Sequence, residues 1–80
     1  MLIVTKHAVD RYIERLDVDM TTDAAFNILV FKLKYRRKEI EDVLYVLGEA
    51  RMDIDDGLRA ICKMKDKDVV VVTVRREKWK

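Results

Sequence analysis

A chain of 80 residues is the length of one domain, and half of its residues are hydrophobic, which argues against a disordered protein. Its 17 basic and 15 acidic residues leave a formal net charge of +2, which excludes an acidic or basic tail protein. The single cysteine, Cys62, excludes an internal disulfide, and with one histidine, His7, this chain cannot build a four-ligand zinc site alone.

The chain begins with the pattern of a short strand followed by a helix. Residues 2–4 are apolar and mostly β-branched, which favours a brief strand or a segment inserted into the core. Thr5 is a good N-cap for a helix from about Lys6 to Leu16. The apolar residues of that helix fall on one side: Ala8, Val9, Tyr12, Ile13 and Leu16.

A longer helical stretch follows, and it contains two apolar stripes on either side of a basic segment. Thr21 or Thr22 caps its start, and Gly48 is a suitable residue to end it. Five of the seven residues 32–38 are cations. One helix or two would fit this stretch, and a break near residues 35–37 lets both stripes face one small core, so we favour two. The stripes are Phe26, Leu29, Val30 and Leu33, then Ile40, Val43, Leu44 and Leu47.

After Gly48 the apolar residues recur at every second position, which is typical of strands. Residues 51–54 and 58–64 alternate in this way, and Asp55-Asp56-Gly57 is the predicted turn between them. After a second turn at Asp66-Lys67, residues 68–76 are apolar on both faces, which suits a central strand. The sequence therefore predicts one α+β domain over residues 1–80, with a short N-terminal strand and two or three helices packed on a C-terminal three-stranded antiparallel meander.

Export and membrane signals are missing from the sequence. The apolar residues before Lys6 are too few for a signal peptide, and the longest strictly apolar runs have four residues, against about 18 for a membrane span. We therefore expect a cytoplasmic protein that contacts no membrane. No phosphate-binding loop, dinucleotide motif or catalytic triad occurs in the sequence, and we expect no cofactor.

Three side chains of the first helix form a candidate catalytic or phosphate-binding group. His7, Arg11 and Arg15 are spaced four residues apart, so they lie on one ridge of the helix. An imidazole exchanges a proton near neutral pH, and guanidinium groups hold phosphate oxygens in pairs. His7 is thus the candidate catalytic residue, with two candidate nucleic-acid ligands beside it. The alternative is a solvated face, since Asp10 and Glu14 on the same side offer salt bridges.

The basic segment 32–38 is a second candidate contact for nucleic acid, because cations that neutralise phosphates release counterions. The alternative is that the acids following it cancel its charge. Pairs at helical spacing, such as Lys38–Glu41 and Lys38–Asp42, would do so.

The predicted sheet supplies a third candidate surface. We expect the even-numbered valines of the last strand to pack under the helices: Val70, Val72 and Val74. The other face of the sheet then carries the odd-numbered residues of the last two strands: Arg59, Ile61, Lys63, Val69, Val71, Thr73 and Arg75. A basic, partly apolar surface with a hydroxyl and no balancing acid suits an RNA backbone, so its three cations and Thr73 are candidate nucleic-acid ligands. Alternatively this face is a homodimer interface. Trp79, among C-terminal cations, is a candidate to stack on a base or to cover a core edge.

Three short segments resemble a known family. They are Thr5-Lys6-His7-Ala8 with Arg11 and Arg15, then Asp56-Gly57-Leu58-Arg59-Ala60, then Val71-Val72-Thr73-Val74. They are similar to segments of the RelE/BrnT-like toxin superfamily, whose small phage and mobile-element members include uncharacterised HA-x-x-R domains. The resemblance implies a helical part packed on an antiparallel sheet that binds RNA, metal-independent ribonuclease activity, and an antitoxin or host protein as partner. By this resemblance His7, Arg11 and Arg15 match the helical motif. Arg59 and Thr73 match recurring positions of the sheet.

Three functions stay open. The first is an RNA-binding protein or metal-independent ribonuclease of the toxin type. The second is a non-catalytic phage or plasmid accessory protein that binds a host protein or a nucleotide through the same basic surface. The third is a DNA-binding regulator, which the lack of a helix-turn-helix pattern and the small net charge disfavour. We also expect a homodimer, since a domain of this size buries only about 60% of its unfolded surface.

Overall fold

The computed structural model describes residues 1–55 and 57–77. Over these residues the chain forms four strands and three helices. The strands are β1 (Leu2–Val4), β2 (Ala50–Asp55), β3 (Leu58–Lys65) and β4 (Asp68–Arg76), and the helices are α1 (Lys6–Leu16), α2 (Thr22–Lys34) and α3 (Arg37–Leu47). The predicted turn residue Asp56 and the candidate stacking residue Trp79 lie outside the described residues.

The described strands form one mixed sheet in the order β1-β4-β3-β2. β2, β3 and β4 form the antiparallel meander that the sequence predicts. The predicted N-terminal strand is confirmed, but the sheet has four strands and not three, because β1 pairs in parallel with β4. This pairing satisfies the second edge of β4 along residues 69–71, where backbone groups would otherwise lack partners. β4 is therefore an interior strand, as its apolar sequence predicts.

A β-bulge in β4 changes which valines are buried. Thr73 lies opposite Ile61, while Val71 lies opposite the next residue of β3, Cys62. Val72 is therefore an extra residue with no partner on the described part of β3. The prediction that the even-numbered valines face the helices is wrong for the first half of the strand, since the buried valines are Val69, Val71 and Val74. The bulge shifts the alternation by one residue, so the C-terminal half of β4 keeps the predicted orientation.

Thr5 joins the bulge to the start of α1. Its hydroxyl donates to the carbonyl oxygens of Val71 and Val72, at 2.8 and 3.2 Å. The same oxygen accepts from the backbone N–H of Ala8 and so caps α1, as the sequence predicts. One side chain thus satisfies the helix terminus together with two carbonyls at the irregular part of the sheet.

The helices share one hydrophobic core with one face of the sheet. α2 ends at Lys34 and α3 begins at Arg37, so the predicted break in the long helical stretch is confirmed. Gly48, with φ of 77°, ends α3. The buried helix residues are Ala8, Val9, Tyr12, Ala25, Leu29, Leu33, Ile40 and Leu44. We call the other face of the sheet, which none of the described helices covers, the open face.

Candidate nucleic-acid interface on the open face

The open face consists of alternate residues of the strands, arranged in rows. Read from β2 towards β1, the three rows that carry the candidate residues are Asp53-Arg59-Arg75, Arg51-Ile61-Thr73 and Lys63-Val70-Ile3, and Lys65 and Asp68 pair in a further row. The pleat directs these side chains away from the helices. Arg59, Lys63 and Arg75 therefore share one face, and the face is charged near β2 and apolar near β1.

An acidic network balances part of this charge, contrary to the expectation of no balancing acid. The guanidinium of Arg59 contacts carboxylate oxygens of Asp53 at 2.9 Å and Glu77 at 3.4 Å, and 16% of its side chain is exposed. Glu77 also accepts from Arg51 at 2.9 Å. Ile61 lies beside Arg51 and is buried although it faces away from the core, so charged side chains cover apolar surface here.

Two other cations of the open face are available to a ligand. Lys63 and Arg75 are exposed and form no ion pair within the described residues. Lys63 lies four residues along β3 from Arg59, about 13 Å at the rise of a strand, and Arg75 lies directly beside Arg59 on β4. Thr73 belongs to the row between those of the two cations. Two charges with a hydroxyl between them provide contacts for successive phosphates and sugars of one strand.

The three candidate residues of α1 lie in the helical layer, on the other side of the sheet from the open face. His7, Arg11 and Arg15 lie on the helix that packs across β4 on the covered face, so the sheet separates them from the open-face cations. Arg11 pairs with Glu14 at 3.2 Å, which is the salt bridge considered as the alternative. The backbone carbonyl of Arg15 accepts from Arg76 at 2.8 Å, which fastens the end of α1 to the end of β4.

Within the basic segment 32–38, several cations have acidic partners. Arg36 pairs with Glu39, and Arg37 pairs with Glu41 at 2.7 Å. The pairs of Lys38 with Glu41 and Asp42, offered as examples of this alternative, are not among the ion pairs of the described residues, and Glu41 pairs with Arg37. The segment is therefore neutralised in part, by different pairs from those expected.

A polar cluster that sequence reasoning missed lies where the end of β2 meets the helices. The Tyr12 hydroxyl donates to Asp55 Oδ2 at 2.7 Å. Lys32 Nζ donates to Asp55 Oδ1 at 3.2 Å and to the carbonyl of Ile54 at 2.9 Å. Burial, and then the Asp55 carboxylate, raise the pKa of Tyr12 well above its ordinary value. The cluster fastens α1 and α2 to β2. Two features of the sequence could have indicated it: the hydroxyl of Tyr12 within the apolar stripe of α1, and Lys32 within α2.

Cys62 is a core residue, as its alternation with Ala60 predicts. Burial raises the pKa of its thiol to about 11, so at neutral pH it is not a nucleophile. Among the residues that the structure describes, no group of three or more histidine, cysteine and acidic side chains is arranged to hold a metal ion.

Val69 and Val71 are buried in the core. They therefore do not belong to the open face, where the homodimer interface was expected to include them. The apolar residues of that face are instead Ile3, Ile61 and Val70, and Val72 is exposed at the bulge. The oligomeric state stays a prediction.

Comparisons with protein-family models, with curated proteins and with solved structures found no match for this chain. The resemblance to the RelE/BrnT-like superfamily therefore stays a prediction. In the described ranges 1–55 and 57–77, no helix is long and apolar enough to cross a membrane.

Proposed function

We propose that this protein binds single-stranded RNA through the open face of its sheet. The observation that carries the proposal is the division into two layers, with the described helices on one side of the sheet and exposed Lys63 and Arg75 on the other. A sheet face with cations and a hydroxyl offers contacts to phosphates and to the 2′-hydroxyl of RNA.

A single strand fits this face better than a duplex does. Major-groove readers insert a helix or a narrow two-stranded ribbon, whereas the cations here lie on the interior strands β3 and β4 of a wider sheet. Single-stranded RNA can lay its sugars and splayed bases along such a surface. Thr73, in the row between the two cations, is the hydroxyl positioned to contact a 2′-hydroxyl group.

The proposal is for binding and includes no cleavage step. The family resemblance points to His7 for catalysis, but His7 belongs to α1, on the opposite side of the sheet from Lys63 and Arg75. The second candidate, an accessory protein that binds a host protein through the same surface, depends on the same two cations. An RNA-binding measurement separates the two.

The test is equilibrium binding of a labelled single-stranded RNA at about 50 to 200 mM salt. The logarithm of the affinity should fall with a slope of about −0.7 per phosphate contacted, and the double variant Lys63→Ala/Arg75→Ala should make it shallower by about 1.4. Arg59 is left in place because its removal would leave Asp53 and Glu77 without this partner and add negative charge to the face.

The matched control is the double variant Arg11→Ala/Arg15→Ala, which removes the same charge from α1. Its slope should equal that of the wild-type protein. Salt-independent binding, or a larger loss in the α1 variant than in the open-face variant, would overturn the proposal. RNA binding unchanged by Lys63→Ala/Arg75→Ala would also overturn it, whereas a wild-type protein that binds no RNA would favour the accessory, protein-binding function.

A further inference from the structure

The C-terminal end of α2 carries an exposed aromatic pair beside a lysine. Phe31 and Tyr35 are 62% and 76% exposed, and their rings meet edge to face with centroids 5.8 Å apart. Lys34 Nζ lies 5.9 Å from the Phe31 centroid and 4.9 Å from that of Tyr35. Over residues 1–55 and 57–77 the ammonium of Lys34 has no ion pair. We call Phe31, Lys34 and Tyr35 the aromatic–basic patch.

The patch has no part in the core. The buried residues of α2 are Ala25, Leu29 and Leu33. Adjacent exposed aromatic rings on a small protein mark a surface that a partner covers. Lys34, and the exposed Lys38 near the start of α3, add positive charge here, which favours a partner that carries negative charge.

The residue that follows the patch connects this end of α2 to the β2 edge of the sheet. Arg36, the residue after Tyr35, donates from Nη1 to the backbone carbonyl of Asp53 at 2.9 Å. The carboxylate of Asp53 in turn accepts from Arg59 on the open face. Since β2 is the edge strand, a nucleic-acid strand that leaves Arg75 and crosses β2 arrives at the aromatic–basic patch.

We propose that the aromatic–basic patch is a base-stacking site for single-stranded nucleic acid. One base stacks on the Tyr35 ring, while Lys34 and Lys38 contact the neighbouring phosphates. This site would extend the RNA-binding surface proposed above. It rests on that proposed function, because it assumes that the RNA strand crosses the open face. Because every base has a π-face, the site adds affinity with little sequence preference. Its continuity with the open face favours nucleic acid over an anionic membrane, which an aromatic and basic surface also suits.

The test compares two oligonucleotides of about ten nucleotides, one of ordinary RNA and one in which every base is replaced by an abasic site. Tyr35→Ala should weaken binding of the ordinary RNA about fivefold or more and leave binding of the abasic strand unchanged. Tyr35→Phe keeps the ring and should bind like the wild-type protein. Tyr45→Ala is the matched control, because Tyr45 is 92% exposed on α3 and has no cation against its ring among the described residues.

The outcomes separate this site from the open face. If Lys63→Ala/Arg75→Ala weakens binding and Tyr35→Ala does not, the stacking site is wrong and the proposed function stands. If Tyr35→Ala alone weakens binding, stacking stands and the open-face function is wrong. An equal effect of Tyr35→Ala on both oligonucleotides would overturn stacking. Loss of binding to phosphatidylserine-containing vesicles in Tyr35→Ala, with RNA binding intact, would assign the patch to membranes instead.

Discussion

Replacing Tyr12 with phenylalanine removes one hydroxyl from the cluster that joins the helices to β2. That hydroxyl donates a 2.7 Å hydrogen bond to Asp55. A hydrogen bond to a charged group contributes about 1.5 to 3 kcal/mol. Asp55 keeps Lys32 as a second donor, so we expect Tyr12→Phe to lower the free energy of unfolding at pH 7 by about 1.5 kcal/mol. In a domain of this size that loss lowers the Tm by about 6 to 12 °C.

The same substitution predicts a pH dependence whose sign follows from the raised pKa of Tyr12. The folded protein keeps the phenolic proton at pH values where the unfolded chain, with the ordinary pKa of 10.0, releases it. The stability that this proton provides is complete below pH 10 and falls by about 1.4 kcal/mol per pH unit above it. The Phe variant has no such loss, so the difference between the two proteins should shrink to about zero near pH 11.

Urea unfolding followed by circular dichroism, at about pH 7, 10 and 11, measures this difference. All other titrating groups are common to both proteins and cancel to first order in the comparison. A Tyr12→Phe protein as stable as the wild type at neutral pH would refute the stabilising hydrogen bond. A difference that stays constant through alkaline pH would refute the burial of the neutral hydroxyl.

Thr5→Val, which removes the cap of α1 and the bonds to the Val71 and Val72 carbonyls, should cost about 1 to 2 kcal/mol in urea unfolding. Thr5→Ser should retain most of that stability, and equal losses in both variants would contradict the role of the hydroxyl. Cys62 should react with a thiol reagent only through unfolding, because it is buried and its pKa is raised to about 11. Fast labelling in the absence of urea would contradict this. His7→Ala should leave RNA affinity within about twofold of wild type, whereas RNA cleavage abolished by His7→Ala would establish the ribonuclease activity that the family resemblance implies.

Local pattern predicts the elements of this chain well where a chemical signal marks their ends. Thr5 starts α1 at Lys6, and the turn at Asp66-Lys67 starts β4 at Asp68, as predicted. The basic segment between two apolar stripes correctly indicates the break between α2 and α3. The apolar character of β4 on both faces correctly predicts an interior strand. These features depend on residues close together in the sequence.

The features that sequence reasoning missed depend on residues far apart in the chain. The parallel pairing of β1 with β4 joins the two ends of the described chain, and nothing in three apolar residues specifies that partner. Glu77 follows the last strand, where alternation no longer predicts which way a side chain points. Its carboxylate nevertheless forms an ion pair with Arg59. Tyr12 and Asp55 are 43 residues apart, so their hydrogen bond follows from the packing of α1 against the sheet.

The bulge at Val72 determines which surface the end of β4 presents. If all nine residues alternated plainly from the buried Val69, Arg75 would turn towards the helices and Val74 towards water. Deleting one valine from the run 69–72 should remove the extra residue and leave Arg75 on the open face and Val74 in the core. Since the four residues are identical, a deletion at any of them gives the same protein. The bulge therefore absorbs one residue of the valine run, and it keeps the positive charge of Arg75 on the side of the sheet that the helices leave open.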